Sequence, residues 1–518
     1  MSFVSTGFVL FFLLTALIYY VVPQKFKWLV LLCASYAFYA LNNAKSLVFI
    51  IASTLISFFV AKKISSISEE CEQRRSATSD KTERKEIRNQ YKKIKKRYAS
   101  LGIIICFAIL AVLKYTNFVV FNINAIFKTD IRMFSFILPL GISFYTFQVV
   151  SYLFDVYNGK YEAEQNIFHY ALYVSWFPSI LQGPISRYNE LRPQFFETEH
   201  HFSLENTQFA MQRILWGFLK KLVIADRATE VVTYIFGNHA DLPWYITFTG
   251  LFFYSIELYA DFSGGMDVVI GVSELMGIKL TENFRQPFFS QSIAEFWRRW
   301  HITLGTWMKD YVFYPYNLSD FTGKMGKFLS KINKTAGKLI PACLGNLLVF
   351  FIVGVWHGAE WHFIVYGLYN GILIVLGILF KPLFEKLITL FHINAQSTYW
   401  KAFRIIRTFL LINIGWAFDD VTDLHMSTSM IKQLFTFTNG NLIQNWKFDT
   451  FSELTIYTVG LFSVIWLIIS ILKEKGVDVR KSISKLALPV RWAIYLALIL
   501  SVPFFQAANM VGFIYAQF

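Results

Sequence analysis

Apolar positions in this chain fall in long unbroken runs, at 4–22, 27–41, 46–61, 100–121 and 133–153, then at 339–357, 361–380, 402–418, 451–472 and 489–509. Several approach the roughly 20 residues that a helix needs to cross a bilayer core, so the pattern predicts membrane-crossing helices. The first run has no Lys or Arg before it and no small-residue cleavage site, which reads as a retained helix and not a signal peptide. Between about 160 and 320 the pattern breaks down. Pro178, Gly183-Pro184, Pro243, Gly264-Gly265 and Pro287 interrupt it, and Lys220-Lys221, Arg227, Arg285 and Arg298-Arg299 fall where no up-and-down count accommodates them. Irregular backbone at membrane depth is tolerated only when buried in protein or lining a cavity, so this middle region is expected to form the working chamber.

Polar stretches set the topology. Residues 62–99 carry thirteen Lys/Arg against six Asp/Glu, with helical spacing of the charges, and are predicted to be a helical cytoplasmic loop. Lys324, Lys327, Lys331, Lys334 and Lys338 mark a second inside loop, and Lys473, Lys475, Arg480, Lys481 and Lys485 a third. Counting outward from these puts both termini and the loop 419–450, with Asp419, Asp420 and Asp423, on the outside. No internal repeat or soluble-domain boundary is visible, so 1–518 is expected to be a single membrane-embedded domain.

Composition supports this pattern. Hydrophobic residues make up 55% of the chain and charged residues only 16%, against roughly 25% in soluble domains. Mean hydropathy is +0.44. The net charge of +15 would suggest nucleic acid as a partner in a soluble protein; here it sits in loops, where the positive-inside bias accounts for it. The expected partner is the lipid bilayer, with no nucleic acid. Cys33, Cys71, Cys106 and Cys343 are scattered and give neither a disulfide framework nor a metal site.

Candidate chemistry centres on 283–315. There Glu295, Trp297, Arg298, Arg299, Trp300 and His301 lie together, and Phe296, Trp297, Trp300, Leu304, Trp307, Met308 and Tyr311 follow helical spacing, as in a helix lying in the membrane plane. Guanidinium groups suit phosphates of a nucleotide-like acyl donor. His357 ends an uncharged run, and an imidazole with a pKa of about 6.5 is suited to taking a proton from a hydroxyl. Either histidine could equally be hydrogen-bonded structure. Zinc would need a third ligand such as Glu360 or His362, but no HExxH or His/Cys cluster is present, so no metal is expected. Gly-x-Ser-x-Gly and Gly-x-Gly-x-x-Gly are also absent.

Asp261-Phe-Ser-Gly-Gly265, Glu282-Asn-Phe284, Glu295-Phe-Trp-Arg-Arg-Trp-His301 and Trp356-His-Gly358 resemble the signatures of the membrane-bound O-acyltransferase family, most of all its bacterial alginate O-acetyltransferase-like polysaccharide branch. Phe177-Pro-Ser-Ile-Leu-Gln-Gly-Pro-Ile-Ser-Arg187 and Gly217-Phe-Leu-Lys-Lys-Leu-Val-Ile-Ala-Asp-Arg227 add to a likeness running from about 130 to 380. The resemblance implies an all-α polytopic protein, a ring of helices with tilted or half-membrane helices around a central funnel and tunnel. It implies an O-acyltransferase of the bacterial cytoplasmic membrane that moves an acetyl group from a cytoplasmic thioester, acetyl-coenzyme A or an acyl carrier protein, to an extracytoplasmic polysaccharide. The thioester is a co-substrate; no tightly bound cofactor is implied. His357 matches the family's catalytic histidine and His301 its second motif histidine, with Glu295, Trp297, Arg298, Arg299 and Trp300 on the donor side.

Phe513-Ile-Tyr515-Ala-Gln-Phe518 resembles the Phe-x-Tyr-x-x-Phe tail of bacterial acyl-export systems in this family, in which the tyrosine takes the acyl group and passes it to an extracytoplasmic, hydrolase-like transferase partner. After Tyr314-Pro315 the chain departs from the Gly-Gly-Asn-Arg turn of alginate-type members. That leaves D-alanyl transfer to teichoic acid as an alternative. A solute transporter without covalent chemistry is the alternative of another class, although paired broken helices in related halves are not evident.

Overall fold

Every apolar run contains a helix, and among the described residues there is no β-strand. The computed structural model describes residues 1–421, 423–436, 453–508 and 511–514. Residues 422 and 437–450 of the expected loop 419–450, and Tyr515, lie outside them. Six helical stretches among the described residues are long and apolar enough to span a membrane: Gln24–Ser76, Lys81–Phe127, Lys334–His357, Trp361–Leu379, Glu453–Glu474 and Leu488–Phe505. The protein is all-α and polytopic.

The chain divides into two compact units, Met1–Ala210 with Val269–Thr281, and Met211–Val268 with Glu282–Phe518. In the first, the principal helices are α1 (Thr6–Val21), α2 (Lys27–Asn43), α3 (Leu47–Ser76), α4 (Lys81–Phe127), α5 (Ile142–Tyr157) and α6 (Ile167–Ser175). The polar stretch 62–99 is helical, as its charge spacing predicts. It extends α3 and α4 as a hairpin around a small core of Ile67, Cys71 and Tyr91, with the Tyr91 hydroxyl donating to Glu70 Oε1 at 2.6 Å. The run at 133–153 is helical only from Ile142. Pro139 has no N–H to donate to a helix, and Gly141 has φ 68°, where a Cβ would lie 2.0 Å from the Ile180 carbonyl oxygen.

The second unit holds the part of the irregular middle that carries Lys220-Lys221, Arg227, Arg285 and Arg298-Arg299. Helix α7 (Leu204–Phe218) passes through a π-helical segment, Leu219–Ala225, into α8 (Asp226–Gly237), and α9 (Trp244–Leu275) packs across that segment. The approach is close. A Cβ on Gly217 would sit 2.7 Å from the Gly264 carbonyl oxygen. Lys220 and Lys221, which defeat a hydropathy count, are both buried and neutralised from α9 and α8. Lys220 Nζ lies 2.7 Å from Asp267 and donates to Ser263 Oγ at 2.7 Å; Lys221 Nζ lies 2.7 Å from Asp226 and 2.6 Å from Asp261. Ionic groups persist in such an interior only when paired and hydrogen-bonded in this way.

The remaining principal helices are α10 (Ile293–Arg299), α11 (Ile302–Met308), α12 (Lys334–His357), α13 (Trp361–Leu379), α14 (Thr398–Trp416), α15 (Glu453–Glu474) and α16 (Leu488–Phe505). Helical spacing predicts one helix through 296–311, but the chain breaks between α10 and α11. His301 adopts φ 45°, ψ 54°, a left-handed conformation uncommon outside glycine.

Candidate active site

The break is held open by residues 283–285. The Arg285 N–H donates to the Arg299 carbonyl at 3.0 Å and the Ile302 N–H to the Asn283 carbonyl at 2.9 Å, so this extended stretch bridges both sides of His301. The Asn283 side chain completes the bridge. Its Oδ1 accepts from the Thr303 N–H and the Thr303 hydroxyl, both at 3.0 Å, and lies 3.2 Å from His301 Nδ1. With Oδ1 as acceptor, Nδ1 carries the proton and Nε2 is the unprotonated nitrogen. Burial, followed by the proximity of the titratable His357 ring, pulls the His301 pKa down to about 3, so the ring is neutral. The edge of Phe262 and the ring of Trp356 flank it, with centroids at 4.9 and 5.7 Å.

His301 lines a cavity of about 490 Å³ whose walls include Trp297, Trp300, Asn346 and Val353. Exposed Arg298 and Lys309 also line it, so cations stand at its open side and the neutral imidazole at its buried side. Trp300 is buried, stacked on Phe296 at 5.4 Å, and the Trp297 indole N–H donates to Asn370 Oδ1 at 3.2 Å. Arg299 is placed differently from Arg298. It pairs with Glu295 and Glu474, each at 2.8 Å, so Glu295 and Arg299 brace α10 against α15 and neither lines the cavity.

His357 comes from another helix. It is the last residue of α12, which ends because Gly358 is extended and pressed onto the next helix; a Cβ there would lie 2.2 Å from the Phe363 ring. The imidazole is buried between Phe363, stacked at 6.0 Å, and the edge of Tyr366 at 5.3 Å. Its Nδ1 lies 3.8 Å from Asp419 Oδ1, beyond a hydrogen bond but within ion-pair range. The other Asp419 oxygen accepts from the Tyr254 hydroxyl at 2.9 Å. Burial raises the Asp419 pKa to about 7; the Tyr254 hydrogen bond opposes that rise and the Asp420 charge adds to it. This faces Nδ1 with a carboxyl group and leaves Nε2 as the nitrogen turned away from Asp419. His362, the possible third metal ligand, has both nitrogens engaged, with the Phe418 carbonyl at 2.8 Å and Glu360 at 2.9 Å.

The two histidines far apart in sequence thus meet around Trp356, whose ring lies 5.7 Å from His301 and 5.1 Å from His357. The resemblance names neither Asn283 as an organiser nor Asp419, Tyr254 and Lys309 as participants. For Asn283 the signal is its place in Glu282-Asn-Phe284; Asp419 falls by charge pattern in the expected outside loop, yet it is buried.

A sequence model of the MBOAT, membrane-bound O-acyltransferase family matches residues 163–416, which include both histidines. A probable alginate O-acetylase of Pseudomonas syringae pv. tomato is 33% identical over 444 residues, 84% of this chain and 76% of that protein. A peptidoglycan O-acetyltransferase of Helicobacter pylori is 30% identical over 83% of this chain and 77% of its own length. A teichoic acid D-alanyltransferase of Bacillus subtilis is 31% identical over 45% of this chain and 57% of its own length. With the broken helix, the paired histidines and these likenesses together, the chain belongs to the membrane-bound O-acyltransferase family and is a multi-pass membrane acyltransferase.

Proposed function

We propose that the protein takes an acetyl group from a thioester donor and delivers it for O-acetylation of an extracytoplasmic polysaccharide of a bacterial cell. The observation carrying this reading is the cavity that begins at Arg298 and Lys309 and ends at His301, beside the His357–Asp419 pair. Arg298 and Lys309 receive the phosphates of acetyl-coenzyme A or of a carrier protein's pantetheine arm, and the apolar walls accept the uncharged thioester end. Relatives named for O-acetylation of alginate and peptidoglycan align over most of the chain, which favours acetyl over D-alanyl.

The reaction needs one proton managed. His357 Nε2 takes the proton of the receiving hydroxyl as that oxygen bonds to the thioester carbonyl carbon. Collapse of the tetrahedral intermediate breaks the C–S bond, and the imidazolium returns its proton to the departing thiolate. Asp419, held by Tyr254, orients Nδ1 and stabilises the imidazolium. Neutral His301 positions the donor's acyl end. Tyr515 is the first acceptor in this scheme, passing the acetyl group to a hydrolase-like partner outside the membrane, which agrees with the charge pattern that places both termini outside.

The test is mass analysis of surface glycan from cells carrying His357→Ala at normal membrane abundance. Loss of the acetyl ester is expected. Retained acetylation would remove His357 from the chemistry, and a D-alanyl ester in the parent strain would shift the substrate to teichoic acid. Export of an unmodified solute by both proteins would support a transporter.

A further inference from the structure

The buried cation Lys221 is not used by the transfer chemistry. It is ion-paired with Asp226 at 2.7 Å, donates to Asp261 Oδ1 at 2.6 Å, and donates at 3.2 Å to the carbonyl of Gly512. Asp261 is divided in the same way. Oδ1 accepts from Lys221, and Oδ2 accepts the backbone N–H of Ile514 at 3.1 Å. Between these two contacts Phe513 is buried, with Lys221 Nζ 4.9 Å from its ring centroid. The approach to this point is secured as well, since the Ala507 N–H donates to the Leu222 carbonyl at 3.1 Å and Arg227 holds the carbonyls of Phe505 and Gln506. Without the 512–514 segment, a buried ammonium N–H and a buried carboxylate oxygen would each lose a partner, which is costly at such depth.

The same helix ties this anchor to the chemistry. Asp261 on α9 is followed by Phe262, whose edge meets the His301 ring, and is preceded seven residues earlier by Tyr254, which holds Asp419 beside His357. Residues seven apart lie on nearly the same helical face, so one face of α9 carries both the hold on the segment and the support of the base.

We propose that Lys221 and Asp261, neutralised with Asp226, form a clamp whose ligand is the chain's own Gly512–Ile514 segment, and that they act as positioning residues by fixing where the next residue, Tyr515, is delivered. The delivery role rests on the reading of Tyr515 as acyl acceptor; the clamp does not.

The two are separable in the full-length protein in native membranes. In a Cys33→Ser background, which removes the exposed native thiol, Ile514→Cys, at a half-buried position that meets Asp261 through its backbone N–H alone, is labelled with a polar maleimide. Asp261→Asn, Lys221→Met and Phe513→Ala are each expected to speed labelling about 10-fold or more, the scale of a lost buried charge-assisted hydrogen bond or apolar anchor, whereas Lys221→Arg and Tyr515→Phe leave it slow. Phe513→Ala leaves the ion pairs intact and keeps the test valid if the buried charge variants fail to accumulate. Glycan acetylation is expected to fall by a similar factor in Phe513→Ala with KM for the donor unchanged. Equal labelling rates in Phe513→Ala and its parent would overturn the clamp. Faster labelling with full acetylation would overturn the delivery role, and full acetylation by Tyr515→Phe would overturn the acceptor reading while the labelling rates still judge the clamp.

Discussion

Asn283 Oδ1 stands 3.2 Å from His301 Nδ1 and accepts two further hydrogen bonds from Thr303, so one amide oxygen fixes both the tautomer of the histidine and the backbone turn that presents it. Asn283→Ala removes all three bonds from a buried place. Because reactant misplacement by about 1 Å can cost on the order of 10²-fold, kcat should fall by about that factor, while membrane abundance falls only modestly. Asn283→Asp keeps the acceptor and should recover part of the rate. Steady-state kinetics with a soluble thioester would check this, and an Ala variant with parental kcat would show that His301 needs no such hold.

Asp419 makes a prediction for the pH profile of activity. Burial raises its pKa to about 7, so below neutrality the carboxyl is protonated and no longer offers His357 Nδ1 a charged acceptor. Activity should therefore rise as pH increases through about 7. Asp419→Asn should lower the rate by about 10²-fold at pH 8, within the range for general-base catalysis, and abolish this limb of the profile. Stability runs in the opposite sense. A carboxyl that binds its proton more tightly in the fold contributes stability that is present at acid pH and is lost as pH rises from 3.8 to about 7. An unchanged acid limb in the Asn variant would assign it to another group.

Buried charge in α7–α9 makes a prediction about folding alone. Asp267 lies between Lys220 at 2.7 Å and Arg213 at 2.9 Å. Asp267→Asn leaves the Lys220 ammonium buried without its carboxylate, facing Ser263 Oγ and the Tyr259 ring, and removing one partner of a buried pair costs about 3–5 kcal/mol. Adding Lys220→Met removes the stranded charge, and the double variant should regain most of the loss. Thermal unfolding in detergent would read both; equal destabilisation of single and double variants would mean that charge burial is not the cause.

The lipid-facing runs were readable because their helices answer mainly to the solvent around them, and hydropathy reports that directly. Partners far away in sequence decided what was not readable. Phe296, Trp297, Trp300 and Leu304 carry helical spacing straight through His301, but Asn283, 18 residues earlier, overrides it by bonding across the break. Arg298 and Arg299 are indistinguishable by type, yet successive helical positions point about 100° apart, one to the cavity and one to Glu474. Asp419 and Asp420 look like loop acids. The buried role of Asp419 comes from Tyr254, 165 residues away on α9.

That division between the two arginines gives the most direct test of the donor cavity. Arg298 and Lys309 are exposed at its rim, whereas Arg299 is held by two carboxylates away from it. Arg298→Ala and Lys309→Ala should each raise KM for a phosphate-bearing donor by about 10-fold with kcat nearly unchanged, since such contacts are equal in ground and transition states. High salt should narrow the difference from the parent, because rim charges are screened. A short thioester lacking phosphates should be used equally well by parent and variants. Arg299→Ala should instead lower stability and kcat without a selective effect on the phosphate-bearing donor. If Arg299→Ala alone raised KM for that donor and the rim variants did not, the donor would enter by another route and the cavity beside His301 would belong to the acceptor.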